Sequence, residues 1–237
     1  MTETRITTPM PLYARTAGIL YLIIITCGIF SEAIIRSNLI VAGDASATAA
    51  NILSSQASFR VGFAADAIML LSDVAIAVLL YQLLKPVSKT LSLLAAAFRL
   101  TQASILGFNL LNYYAPMLLL TGGGHMSPFD AKQQHSLALF FLELHGYGYD
   151  LGLLFFGVSN LILGYLIIRS DYLPVILGYG LQAAGLVYLA GSFTRFLSPG
   201  LVSLIEPAYI IPLIAELSFC LWLLAKGVKT QPVASAS

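Results

Sequence analysis

Six long apolar runs, divided by short polar or proline- and glycine-bearing segments, organise the chain. They cover residues 14–35, 59–84, 91–120, 146–168, 173–196 and 204–225. A helix needs about 20 apolar residues to cross the ~30 Å hydrocarbon core of a bilayer, and each run meets that length. Strands of a membrane barrel are about 10 residues long and alternate polar with apolar positions, which these runs do not. The pattern predicts an all-α fold, a polytopic transmembrane bundle of six helices. The first run is too long for a signal peptide. It also carries Glu32 and Arg36 where a small-residue cleavage site belongs, so it reads as a retained span.

The segments between the runs set the neighbours. The break after Lys85, with Pro86, is short enough to make the second and third spans antiparallel neighbours. Asp171 and Pro174 mark a similar turn between the fourth and fifth, and Pro199-Gly200 and Pro207 bracket the link to the sixth. Pro212 is placed to kink that last helix near its end. In the first long connection, Asp44 before an alanine-rich stretch reads as the N-cap of a short surface helix. In the third, Gly122, Gly123 and Gly124 precede Ser127-Pro128-Phe129-Asp130, a helix start with Ser127 at the cap. A helix from there to Ile168 is about twice as long as the hydrocarbon is thick, which requires an outward extension or a bend near Gly146 or Gly148. Gly148 and Gly152 form a small-xxx-small pair, read as internal helix packing in preference to a dimer seam. Residues 1–230 are expected to form one transmembrane domain, with 231–237 a disordered tail.

Lysine and arginine bias fixes the expected orientation. With the N-terminus in the cytoplasm, the inner segments hold Arg5, Arg15, Lys85, Lys89, Arg169, Lys226 and Lys229, and the outer loops hold Arg36 and Lys132. That excess places both termini in the cytoplasm.

Composition narrows the class further. The 237 residues are 58% hydrophobic and 10% charged, against about 25% charged in soluble domains, and the mean hydropathy is +0.87. A net charge of +1 offers no footprint for nucleic acid. The bilayer is the partner this chain requires.

Charged groups inside hydrocarbon are costly, so each is a candidate for function. Counting helix rise from the inner ends puts Asp73, Arg99 and Glu216 about 12–16 Å deep, near the midplane, with Asn160 and Gln182 level with them. A second layer lies nearer the outer surface and contains Glu32, Arg36, Arg60, Asp66, Asn109, Asn112, Glu143, His145, Asp150, Arg195 and Glu206. The inner half holds far fewer polar groups. This asymmetry predicts a polar pocket open to the outside and closed toward the cytoplasm. Asp66 and Asp73 share one helical face, as do Arg99, Gln102, Asn109 and Tyr113. Two ion pairs are expected, Asp73 with Arg99 and Arg60 with Asp66. In the deep layer two acids face one base, which leaves Glu216 without a cation and a candidate to carry a proton.

Cys27 and Cys220 both fall inside spans and read as packing residues. His125, His135 and His145 make no zinc spacing, and no nucleophile elbow, phosphate loop or dinucleotide fingerprint occurs. These residues point to no metal site, and they leave any cofactor undefined.

Several blocks together resemble a known family. Ala14-Arg15-x-x-Gly18-x-x-Tyr21-Leu22, Gly43-Asp44-x-x-x-Thr48-x-x-Asn51-Ile52, Phe59-Arg60, Phe155-Phe156-Gly157, Gly164-Tyr165-Leu166, Arg169-Ser170-x-Tyr172-Leu173-Pro174, Glu216-Leu217 and Leu221-Trp222-Leu223-Leu224-x-Lys226-Gly227 are similar to the bacterial membrane family termed domain of unknown function 4386. The resemblance implies a multi-pass protein of the bacterial cytoplasmic membrane. It transfers no activity or site.

Three functions fit these observations. The first is binding or transport of a small polar or amphipathic molecule through Asp66, Asp73, Arg99 and Glu216. The second is an intramembrane enzyme acting on lipid or a lipid-linked substrate near the outer leaflet, with Glu143, His145 and Asp150 as acid–base or metal-binding groups and Asp66 nearby. The third is a structural or regulatory partner of another membrane protein. The ligand and the oligomeric state are left open by the sequence.

Overall fold

A computed structural model describes residues 10–122 and 128–228. Gly123, Gly124, His125 and Ser127, the tail from Gln231, and the basic residues Arg5 and Lys229 lie outside the described residues. Among those described there is helix and no strand, and six helices are long and apolar enough to cross a membrane. The protein is a multi-pass, all-α membrane protein.

The first span, α1 (Met10–Leu39), contains a π-helical segment at Phe30–Arg36. The wider turn brings Ser31, Ile35 and Arg36 to the buried side and leaves Glu32 outside. The short surface helix α2 (Ala45–Ser54) starts where Asp44 accepts a hydrogen bond from the Ala47 amide at 2.9 Å. The second and third spans are α3 (Gln56–Leu84) and α4 (Lys89–Thr121), the latter capped by Ser88. The fourth, α5 (Ala131–Ile168), is one uninterrupted helix of 38 residues, about 57 Å long, so its first turns extend past the hydrocarbon. There α2 packs on it. Its cap is Asp130, in a reciprocal capping box with Gln133, rather than Ser127. The carboxylate takes the cap because the helix begins at Ala131, three residues later than the serine required.

The fifth span is α6 (Val175–Leu197). The last differs from expectation. Residues 199–209 form short 3-10 and helical turns, and α7 proper is Ile210–Ala225. Pro212 is the third residue of α7, within its first turn, where proline is tolerated. The interior proline is instead Pro116, buried in α4.

Each span packs on the next, α3 on α4, α4 on α5, α5 on α6 and α6 on α7, and α1 closes the ring against α3 and α7. The half near the termini is filled by a large apolar cluster that includes Tyr21, Ile76, Leu83, Leu166, Leu181 and Phe219. On α5 and α6 the backbones meet at glycines. A Cβ on Gly178 would sit 2.6 Å from the Gly164 carbonyl oxygen, and one on Gly185 2.6 Å from that of Gly157. Gly148 and Gly152 face Asn109 and Leu106 of α4, an internal contact. Large apolar side chains such as Leu71, Phe108 and Ile176 form the lipid-facing exterior.

Candidate functional site

The polar residues sort into three groups around the ring. The deepest lies where α3, α4, α5, α6 and α7 converge. Arg99 donates Nε to Asp73 Oδ1 at 2.7 Å, and its Nη2 lies 2.5 Å from the same oxygen. The guanidinium also sits over the rings of Phe156 and Tyr21, 4.8 and 5.3 Å from their centroids. Such stacking suits a planar, weakly hydrated cation removed from water. Glu216 is in the same region, 8% exposed, with Oε1 accepting from Tyr188 Oη at 2.8 Å and from Asn160 Nδ2 at 3.2 Å.

A cavity of about 260 Å³ opens above this group. Its polar lining includes Asp73, Arg99, Gln102 and Glu216, with Tyr149, Tyr188 and Tyr209 as aromatic wall. Its remaining wall is apolar, chiefly Ile24, Ile25 and Ile29 of α1 and Leu213 of α7. Below the cavity α1 and α7 are in contact. Cys220 Sγ reaches the Gly18 carbonyl at 3.4 Å, Tyr21 and Phe219 meet edge to face, and Gly18 abuts Leu224. The cavity occupies the space between the same two helices on the side away from the termini. On the other side of Arg99, between α3, α4 and α5, is a void of about 10 Å³ beside Tyr81, Ser92 and Ser159, room for one water. Arg99 thus separates a large space from a very small one.

The second group lies further from the termini and joins α1 to α3. Arg36 donates Nη1 to Asp66 Oδ2 at 2.6 Å and to Ser31 Oγ at 2.9 Å, and Nε to Glu32 at 2.7 Å. The expected pairing of Arg60 with Asp66 is therefore corrected. Arg60 is exposed and reaches only Gln56 Oε1, at 3.4 Å. The π-helical turn carries Arg36 inward to take the place assigned to Arg60. Asn109 and His145 link α4 to α5 through each other's backbone, Asn109 Nδ2 donating to the His145 carbonyl at 2.7 Å and His145 Nδ1 lying 3.2 Å from the Asn109 carbonyl.

In the third group, Asp150 of α5 pairs with Arg195 of α6 at 3.0 Å, and Arg195 lies over the Tyr147 ring at 4.7 Å. Glu143 is exposed. Glu143, His145 and Asp150 thus point to three different surroundings. Among the described residues no group of three or more His, Cys, Asp or Glu is placed to hold a metal ion.

The structure brings Asp73, Arg99 and Glu216 to one cavity and leaves Arg60, Asp66, Asn109, Glu143, His145 and Asp150 off its lining. Sequence reasoning passed over Tyr21, Tyr149 and Tyr209. Tyr149 and Phe156 are seven residues apart, one face of a helix, and that spacing was the available signal.

The family described as Domain of unknown function (DUF4386) matches residues 16–227. An uncharacterized protein of Archaeoglobus fulgidus is 30% identical over 173 residues, which is 71% of this chain and 85% of that protein. No solved structure matches.

Proposed function

The chain belongs to the DUF4386 family, and from that premise we propose that it binds or transports a small polar or amphipathic molecule in the cavity between α1 and α7. The cavity itself carries the reading. A floor of Asp73, Arg99, Gln102 and Glu216 lies beneath walls of isoleucine, leucine and aromatic rings. Few polar groups with an apolar surround is the composition of a ligand site, and intramembrane charges are kept where they meet a ligand or each other. Ile29 and Leu213, on the two helices that flank the opening, are 47% and 43% exposed, so the cavity faces the bilayer as well as the polar floor. A headgroup on the floor with an apolar tail between α1 and α7 matches both surfaces.

With the termini in the cytoplasm of a cell whose cytoplasmic membrane holds the protein, this opening is on the outer leaflet, and the apolar cluster near the termini closes the other side. Arg36 with Asp66, Asn109 with His145, and Asp150 with Arg195 then serve to hold the outer half of the ring together. A photoactivatable decanol carrying a chain diazirine tests the proposal in nanodiscs. It should attach to Ile25, Ile29 or Leu213, be displaced by excess decanol, and fail to attach in Gly28→Trp, which fills the cavity. Labelling spread over lipid-facing residues such as Leu71 and Ile176, with no effect of Gly28→Trp, would contradict it.

A further inference from the structure

Resting on the pocket reading above, we infer that the cavity is selective for an organic cation, an amine or quaternary ammonium on an apolar body, with Glu216 as its counter-ion. The inference starts from which charges on the floor are already satisfied. Asp73 and Arg99 form a 1:1 pair through Nε and Nη2, so together they bring no net charge to the cavity. Arg99 Nη1 and Nη2 both lack a hydrogen-bond partner, Nη2 meeting only the Asp73 Oδ1 oxygen of the ion pair, and both atoms are closed off from open space, so neither is presented to an anion in the cavity. Glu216 is different. Its two hydrogen bonds come from neutral donors, Tyr188 and Asn160, and both go to Oε1. Among the described residues none holds Oε2, and no cation comes within ion-pair distance of this carboxylate. The residue is more than nine-tenths buried and lines the cavity.

The surroundings of that free oxygen favour an organic over an inorganic cation. Tyr188 stands between Phe156 and Tyr209, with ring centroids at 5.3 and 6.0 Å, and Tyr149 completes the aromatic side. Aromatic faces attract ammonium groups, most strongly where water is excluded. A single carboxylate oxygen with tyrosines is a poor cage for a divalent ion, which takes six or more oxygens. The isoleucine and leucine walls toward the bilayer require an apolar remainder on the ligand. An anionic amphiphile would bring a second negative charge against Glu216, with the nearest guanidinium already committed to Asp73.

Displacement of the photoactivatable decanol by three ten-carbon competitors tests this. Decyltrimethylammonium should displace it at a concentration about tenfold below that needed for decanol, and decanoate should be weaker than decanol, since one desolvated charge pair is worth about a factor of ten or more. Glu216→Gln, which keeps the hydrogen bonds to Tyr188 and Asn160 within reach, should remove the cation's advantage and leave decanol within about twofold. The competitor series on the unaltered chain decides the matter even if that variant does not fold. Decanoate as the strongest competitor, equal potency of all three, or an undiminished cation advantage in Glu216→Gln would overturn the selectivity while the cavity reading stood. If the decanol probe never attaches to cavity residues, both are overturned.

Discussion

Arg99 of α4 and Asp73 of α3 form an ion pair whose side chains are only 2% and 5% exposed, with the guanidinium over the rings of Phe156 and Tyr21. Removing one partner leaves a buried charge unpaired, which typically costs about 3–5 kcal/mol, whereas removing both leaves none. Asp73→Asn and Arg99→Gln should therefore each destabilise the protein by about 3 kcal/mol, and the double variant should recover much of the loss. A double-mutant cycle on unfolding in detergent measures this, and strictly additive losses would argue against the pair.

Arg36 and Arg60 are predicted to differ sharply. Arg36 is buried on Asp66 and Ser31, while Arg60 is exposed beside Gln56. Arg36→Gln should lower stability by about 3 kcal/mol because Asp66 loses its counter-ion. Arg60→Gln should stay within about 0.5 kcal/mol, the usual range for an exposed site. Equal shifts in the thermal midpoint would mean that Asp66 is held by another cation.

The glycine contacts between α5 and α6 make a third comparison. A methyl on Gly178 meets the Gly164 carbonyl oxygen and Ile168 at 2.6 Å, whereas one on Gly107, in the interior of α4, meets nothing within 4 Å. Gly178→Ala should cost about 1–3 kcal/mol through forced separation of the helices. Gly107→Ala should be neutral or stabilising by up to about 1 kcal/mol. Thermal midpoints of the two variants, recorded side by side, check the contrast.

Orientation is tested by reporter fusions. One after Lys89 and one at the C-terminus should report cytoplasm, and one within the 122–130 connection should report the exterior. The opposite pattern would turn the cavity toward the cytoplasm.

Much of this structure is legible in the sequence, for identifiable reasons. Spans are set by apolar length alone, and the short break after Lys85 forces α3 and α4 into antiparallel contact, so the level of Asp73 and Arg99 follows from helix rise. Glu216 stands out because the deep layer holds one base and two acids. What escaped depends on departures from ideal helices. The inward turn of Arg36 needs a π-helical segment, and no regular 3.6-residue count places it beside Asp66. The cap of α5 was misplaced because Ser127 and Asp130 both fit a helix start, and only the observed first turn distinguishes them. Tyr149 and Tyr209 of the cavity were passed over because an aromatic residue inside a span looks the same from sequence whether it faces lipid or a cavity.

The central claim, a polar cavity between α1 and α7 open to the outside, is tested most directly by the reactivity of a cysteine at Gly28. That position lines the cavity, and a Cβ there meets only Met69 Sδ, at 3.3 Å. In a background with Cys27→Ala and Cys220→Ala, Gly28→Cys should react with a membrane-impermeant trimethylammonium methanethiosulfonate applied to intact cells, and decyltrimethylammonium should slow the reaction. Leu71→Cys, at about the same depth on the lipid face where Leu71 is 73% exposed, should stay unreactive because a thiol in hydrocarbon remains protonated. No reaction at Gly28→Cys from either face of the membrane, or reaction only in inside-out vesicles, would contradict the account.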